Sequence, residues 1–372
     1  MTPRFTCGLA DVGAVGVGAA GVGAAGVGAA DAARAGGKAA ALGELARAGM
    51  RVPSGFVIMA EAFGVAVEAA DPSGALRATL EALPAGDLAG TARVAGDLRA
   101  RVAAAALPPE LAEEITAGYR SLGAGAVAVR SSATGEDSPE ASFAGLQDTY
   151  LAVCGAEAVL DRVRACWASL YNDESAGYRR RQRIGEAGLA MAVVVQRMVR
   201  PRAAGVMFTR SPVTGDRSVV AIEGTWGLGS ALVAGEVTPD SFTVSKVTGE
   251  ITGRRTGTKL RSHSWEPNGP GISALPVPPA LQGAPCLTDE EARALAELGR
   301  RVEGHFGAPQ DIEWALLGDA PGDAPEPGDA AERIVLLQSR PETVWAARER
   351  APVATPQPRA VDHVLARFRK AP

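Results

Sequence analysis

The order of periodicities along the chain predicts an α+β protein of two lobes. Helix-like and strand-like segments alternate through the first half, and the second half is rich in hairpin-like strand pairs. The length of 372 residues, set against a typical domain of about 150, allows two or three compact units. Apolar types make up 47% and charged types 22%, values of a folded globular chain.

Taken in order, residues 1–35 form a low-complexity Gly/Val/Ala-rich segment, in which GVGAA repeats between residues 13 and 30. So little side-chain surface builds no core, and the repeat reads as a flexible insert. It matches GxGxxG from Gly16 to Gly21 and again from Gly21 to Gly26, but no strand precedes it, as a dinucleotide-binding turn requires. A first lobe is expected over 36–195. It opens with a short helix, KAAALGELARAG, and a strand, VPSGFVIM. Residues 61–122 are helical, with breaks at Pro84 and at Pro108 and Pro109. AVAVR (126–130) and LQDTYLAV are strands flanking a polar loop, 156–183 is helical, and the Val content of MAVVVQRMV marks a buried strand.

A second lobe is expected over 196–345. GVMFTRSP, RSVVAIEG and SFTVSK are strands, and VTGE is a turn after the last. The Pro- and Gly-rich stretch 262–286 reads as a loop. Thr288 followed by Glu291 is a capping box opening a helix, with Leu287 placed for a hydrophobic staple. DIEWALL and RIVLLQSRP are the final strands, and 346–372 is a Pro-rich basic tail.

Composition excludes several classes. Lys and Arg total 38 against 42 Asp and Glu, a net charge of −4, so no basic field exists for nucleic acid or an anionic membrane. The four cysteines form no CxxC pair, and the three histidines form no HExxH, which argues against zinc and disulfide frameworks. With no run of about 18 apolar residues and no signal-peptide centre, a cytoplasmic setting is expected.

Period two puts Asp311 and Glu313 on one strand face, and Leu336, Gln338 and Arg340 on one face of the next. Pairing would set Glu313 beside Gln338, two hard oxygens suited to magnesium, near a guanidinium suited to phosphate. A plain salt bridge from Glu313 to Arg340 fits the same spacing. Lys38 follows two glycines at a helix start, where phosphate could be met, although Ala32 and Ala39 exclude a Walker A loop. An uninvolved surface lysine is the other reading. Arg130 closes an apolar strand and needs a partner, internal or ligand. Gly145 and Thr149 allow close backbone approach and a hydroxyl contact, or a plain turn. Gln196 interrupts VVVQRM, and its amide requires a base or a backbone partner. GTWGLGSALVAG (224–235) is a glycine-rich loop or a packed turn before a short helix.

Seven segments in order carry a resemblance: GGKAAALGELARAGMRVPSGFVI, AVRSSATGEDSPEASFAGLQDTYL, CWASLYNDESAGYRR, VVVQRMVRPRAAGVMFT, GTWGLGSALVAGEVTPDSF, HFGAPQDIEWAL and LLQSRPETVW. From about Gly36 to Trp345 the chain resembles the N-terminal nucleotide-binding domain of the phosphoenolpyruvate synthase and pyruvate phosphate dikinase family, which includes rifampin phosphotransferase. The resemblance implies a two-lobed ATP-grasp fold clamping ATP and Mg2+. It implies that Lys38 and Arg130 contact phosphates, that Gly145 and Thr149 belong to a phosphate-covering loop, and that Gln196 lies near the adenine. Glu313 and Gln338 would hold magnesium, and Arg340 would stabilise the transferring group as a catalytic residue with Lys38 and Arg130.

The chain departs from the family pattern at Ala39 and Ala41, where Gly and Asn are usual, and at Ser230, where GLGE has glutamate. No histidine stands in the family's Thr-Ser-His setting, so a separate phosphohistidine swivel-domain protein is the expected partner. The expected activity is that of a pyruvate, water dikinase, passing phosphoryl groups from MgATP to that histidine and on to pyruvate or another acceptor. A non-catalytic ATP-binding sensor and a rifampin phosphotransferase-like subunit are the alternatives.

Overall fold

The computed structural model describes residues 5–12, 29–84, 86–133, 137–138, 141–142, 148–182, 184–186, 188–266, 269, 271–318 and 329–345. The repeat at 13–28, Gly145 and the tail from 346 lie outside them. Residues up to Glu342 form one compact unit, and Thr343–Pro372 a second, of which only three residues are described.

The chain is α+β. Its first part contains β1 (Thr6–Gly8), α1 (Ala29–Arg47), β2 (Gly55–Ile58), α2 (Ala60–Ala70), α3 (Ala75–Ala82), α4 (Leu88–Ala104) and α5 (Pro109–Ser121). These are followed by β3 (Val127–Ala133), the two-residue strands β4 (Asp137–Ser138) and β5 (Ala141–Ser142), β6 (Thr149–Val153), α6 (Ala156–Ser169), α7 (Asp173–Gln182) and β7 (Met191–Arg197). The later part contains β8 (Pro201–Phe208), β9 (Val219–Trp226), α8 (Ser230–Val233), β10 (Asp240–Ser245), β11 (Ile251–Arg255), β12 (Arg261–Ser264), β13 (Ser273–Pro276) and α9 (Pro279–Gln282). It ends with α10 (Asp289–Phe306), β14 (Gln310–Leu317), α11 (Ala330–Arg333) and β15 (Ile334–Pro341).

Two antiparallel sheets organise the large unit, one in the order β1-β2-β7-β3-β6 and one in the order β11-β10-β9-β8-β14-β15. The chain crosses from one to the other through Met198–Arg200. Alternation along β7 serves two cores at once. Met191, Val193 and Val195 face the helices α2, α4, α5 and α6, while Ala192 and Val194 meet Ala35, Ala39 and Leu42 of α1. A strand buried on both faces has to be continuously apolar, which is why VVV stands there.

In the second sheet Ile312, Trp314 and Leu316 of β14 pack with Leu295, Ala296 and Val302 of α10. The expected capping box is present, with Thr288 Oγ1 accepting from Glu291 N at 3.2 Å and Glu291 Oε2 accepting from Thr288 N at 2.8 Å. Leu287 and Ala292, the staple pair, share that core. Glu291 also takes Arg202 Nη2 on both oxygens, each at 2.7 Å, so one carboxylate caps a helix and neutralises a buried guanidinium.

The stretch 262–286 is not only a loop. β12 and β13 form a two-stranded ribbon within it, pairing Arg261 with Pro276 and Ser264 with Ser273. A two-stranded ribbon tolerates proline because half its backbone groups need no ladder partner.

Candidate functional site

Between the two sheets lies a cavity of about 360 Å3, lined by Arg130, Thr149 and Gln196 from the first sheet side and by Gly205, Ser230 and Glu313 from the second. Pockets of a few hundred Å3 with mostly apolar walls and a few convergent polar groups suit small-molecule ligands. Met198, Val199, Leu228 and Val233 supply such walls here.

Arg130 is the hub. It is 8% exposed, and its Nη1 donates to Leu337 O at 2.6 Å while Nη2 donates to Glu313 Oε2 at 2.7 Å and to Gln338 Oε1 at 2.8 Å. The strand does not end at Arg130 as expected but runs on to Ala133, and this mid-strand residue of one sheet is bonded to two strands of the other. Its internal partner is Glu313, separated by 183 positions in sequence.

The salt bridge from Glu313 to Arg340 is not formed. Arg340 pairs instead with Asp311, Nε to Oδ2 at 3.4 Å, because the register sets Asp311 against Arg340 and Glu313 against Gln338. That register carries a correction. Leu336 does not share a face with Gln338 and Arg340: it lies opposite Trp314 in the core, and the ladder slips by one residue between Glu313 and Trp314. The extra residue is Leu337. This β-bulge shifts the phase of the pleat, so Val335 and Gln338 both reach the side of β14 that carries Glu313 and Ala315.

Lys38 is not a surface lysine. It is 9% exposed, and its Nζ donates to Ser131 O at 2.6 Å, one residue beyond Arg130. The approach depends on Gly36, where α1 kinks with φ +76°. A Cβ there would stand 2.1 Å from Ser132 O. Glycine therefore lets the helix start press onto β3, where Ser132 Oγ donates to Ala35 O at 3.0 Å and accepts from Ala39 N at 3.2 Å. Arg130 and Glu313 line the cavity, Gln338 joins them at Arg130 Nη2, and Lys38 reaches β3 one residue further on without being among the lining residues.

Thr149 is exposed and sits opposite Arg130 in the β3–β6 ladder. Gln196 is 2% exposed and donates from Nε2 to Pro53 O at 3.1 Å, so the backbone takes its amide hydrogen while its side chain still lines the cavity. The crossing segment is braced by Trp265, whose Nε1 donates to Val199 O at 3.1 Å. Beneath Arg130 and Ser131, burial pushes the Cys166 thiol far above its ordinary range, and the Asp148 carboxylate adds to this, so it is no nucleophile.

One constellation was invisible as such in the sequence. Ser230 Oγ lies 2.8 Å from His263 Nδ1, and His263 Nε2 lies 3.2 Å from Glu236 Oε2. The signals were separate ones: an unusual Ser at 230 and a lone His in RSHSWE.

The carboxylate of Glu313 and the amide oxygen of Gln338 converge on one cationic nitrogen, so this pair already shares a positive charge. A donor set of two oxygens with no imidazole or thiolate in it suits magnesium, which keeps waters and takes further oxygens from a bound phosphate. Among the described residues no group of three His, Cys, Asp or Glu forms a metal cage of its own. No helix among them is long and apolar enough to cross a membrane.

A mixed helix and sheet unit whose apolar cleft carries a buried Arg130 paired with Glu313 defines a small-molecule-binding class of domain. Residues 32–360 match the model of the pyruvate phosphate dikinase AMP/ATP-binding domain, and the chain belongs to this family. It is 46% identical over 346 residues to a rifampicin phosphotransferase of Streptomyces sp, covering 92% of this chain and 36% of that protein. It is 41% identical over 319 residues to a probable phosphoenolpyruvate synthase of Methanothermobacter thermautotrophicus, covering 84% and 44%. It is 40% identical over 314 residues to a prodigiosin synthesizing transferase of Serratia marcescens, covering 84% and 32%. The chain thus spans less than half the length of these curated relatives.

Proposed function

We propose that the cavity binds MgATP between two ATP-grasp lobes, 36–195 and 196–345, and that the bound nucleotide donates phosphoryl groups to a histidine on a further domain, leaving AMP and phosphate. The observation that supports this reading is the meeting of Arg130 with Glu313 and Gln338 across the two sheets, with Lys38 Nζ on the next residue of β3. In this reading Lys38 and Arg130 bind phosphate oxygens, Gly145 and Thr149 cover them, and Gln196 meets the base beside Met198 and Val199. Glu313 and Gln338 would hold magnesium, which when bound neutralises charge on the phosphates. The Arg340 side chain is 39% exposed near the end of β15, where its guanidinium pairs with Asp311 among the described residues and can turn toward the transferring group.

Phosphoryl transfer asks mainly for positioning and charge, which a fixed set of cations supplies without a covalent step of the chain's own. The final acceptor is pyruvate or another hydroxyl compound. Names of the relatives point to three different products, so the acceptor is set outside the nucleotide site. Phosphorus NMR of the chain with MgATP, a histidine-domain protein and pyruvate tests the reading. AMP and phosphate should appear in the complete mixture, and ATP that stays intact there would leave the chain a nucleotide sensor.

A further inference from the structure

Ser230 lines the cavity, with His263 and Glu236 behind it in hydrogen-bond succession, and the three have no place in phosphate binding. It is held by the fold from three directions. β12 brings His263 against the β9–α8 turn, where Leu228 N donates to His263 O at 2.9 Å. Gly227 makes this contact possible, with φ +70° and a Cβ position only 2.4 Å from His263 O. Glu236 is returned beneath α8 by its own amide, which donates to Ala231 O at 3.0 Å. His263 itself is 7% exposed.

The hydrogen-bond direction follows from the acceptor at the end. The Glu236 carboxylate only accepts, so in neutral imidazole Nε2 carries the proton and Nδ1 is left to accept from the Ser230 hydroxyl. Ser230 has then given away its one hydrogen, and what it presents to the cavity is a pair of oxygen lone pairs. With the imidazole in that neutral form, a ligand group there has to be a donor. Phosphate oxygens are excluded, and a sugar hydroxyl fits.

The position agrees. A Cβ at Gly229 would stand 3.7 Å from both Ala204 Cβ and Gly205 N, which places the turn over the middle of β8. The next residue, Val206, is paired with Glu313 at the end that holds Arg130, whereas Pro201 begins the strand at the crossing segment. Ser230 therefore stands between the end that takes phosphates and the apolar end that takes a base.

We propose that Ser230, oriented by His263 and Glu236, reads the sugar of the nucleotide, accepting a hydrogen bond from one ribose hydroxyl and so favouring ATP over the analogue that lacks that hydroxyl. This rests on the reading of the cavity as an ATP site. Ser230 is the contact residue, and His263 and Glu236 are positioning residues.

The test is calorimetric binding of ATP, 2′-deoxy-ATP and 3′-deoxy-ATP, each with magnesium, to the full chain. The wild-type chain is expected to bind one of the two deoxy analogues about tenfold more weakly than ATP, as one hydrogen bond requires. Ser230→Ala should bring ATP down to that analogue's affinity and leave the analogue unchanged, Ser230→Thr should keep the discrimination, and His263→Gln should erode it. Equal wild-type binding of all three nucleotides overturns the sugar contact and leaves the ATP site standing. A Ser230→Ala chain that keeps the wild-type ratio, or weakens all three alike, also overturns it. Failure of the wild-type chain to bind any of the three overturns the ATP reading and this inference with it.

Discussion

Replacing Arg130 by Ala separates what the residue does for the fold from what it does for a ligand. Three hydrogen bonds of 2.6, 2.7 and 2.8 Å disappear, to Leu337 O, Glu313 and Gln338. A hydrogen bond to a charged group is worth about 1.5–3 kcal/mol and a neutral one about 1 kcal/mol, but the three share one guanidinium and do not add. The Glu313 side chain is also 35% exposed, so water takes over part of its solvation. A loss of about 2–3 kcal/mol in unfolding free energy follows, readable as a shift of the urea midpoint at unchanged slope. For MgATP the same variant loses a phosphate contact worth about 2–4 kcal/mol, a weakening of roughly 30- to 1,000-fold. Lysine at 130 should restore part of the affinity and little of the stability, because an ammonium cannot bridge three acceptors as a planar fork does. ATP binding by the folded Ala variant within threefold of wild type would refute the phosphate role.

Gly36→Ala should destabilise the chain by at least ~2 kcal/mol and weaken ATP binding, since a left-handed backbone and a collision with Ser132 O act together; an unchanged melting temperature would contradict this. Burial works to raise the Glu291 carboxyl, but the Thr288 amide and the Arg202 guanidinium outweigh it and hold it below the ordinary glutamate range. Its contribution is therefore complete above that range and lost as pH falls through the depressed folded value, and Glu291→Gln should flatten this acid limb of the stability profile. Glu313→Gln should weaken the magnesium dependence of ATP binding about tenfold, checked by titrating magnesium at fixed nucleotide. Arg340→Ala should lower AMP formation by 100-fold or more, on the order of 3 kcal/mol, with the melting temperature unchanged because the side chain is 39% exposed.

Much of the fold could be read locally. Continuous Val in β7, the spacing of Val94, Leu98 and Val102 in α4, and the Thr288 capping box each rest on contacts within one element or against one core. β11 was missed because ITGRR is an edge strand, half exposed and carrying no apolar alternation. β12 and β13 were hidden by their proline and glycine surroundings. At the site, the spacing suggested that strand pairing would set Glu313 beside Gln338, and the ladder does pair them. The ion pair did not follow, because Arg130 meets Glu313 across two sheets and the choice between Arg130 and Arg340 depends on a register that no local spacing encodes. The slip at Leu337 is of the same kind. The resemblance named the family, and the backbone shows how Gly36 brings Lys38 to β3.

The bulge at Leu337 makes β15 a strand with two reading frames. Upstream of it, even-numbered residues such as Leu336 belong to the hydrophobic interior; downstream, Gln338 and Arg340, also even-numbered, lie on the side of the sheet that carries Glu313, and Ser339 turns inward to donate to Gln310 Oε1 at 2.9 Å. Removing Leu337 would leave Leu336 opposite Trp314 and Gln338 opposite Glu313 in an unbroken ladder, but would take away the carbonyl that accepts from Arg130 Nη1. Chain length at this point is consequently as much a part of the chemistry as side-chain identity, and a tolerated substitution at 337 says nothing about tolerance of a deletion.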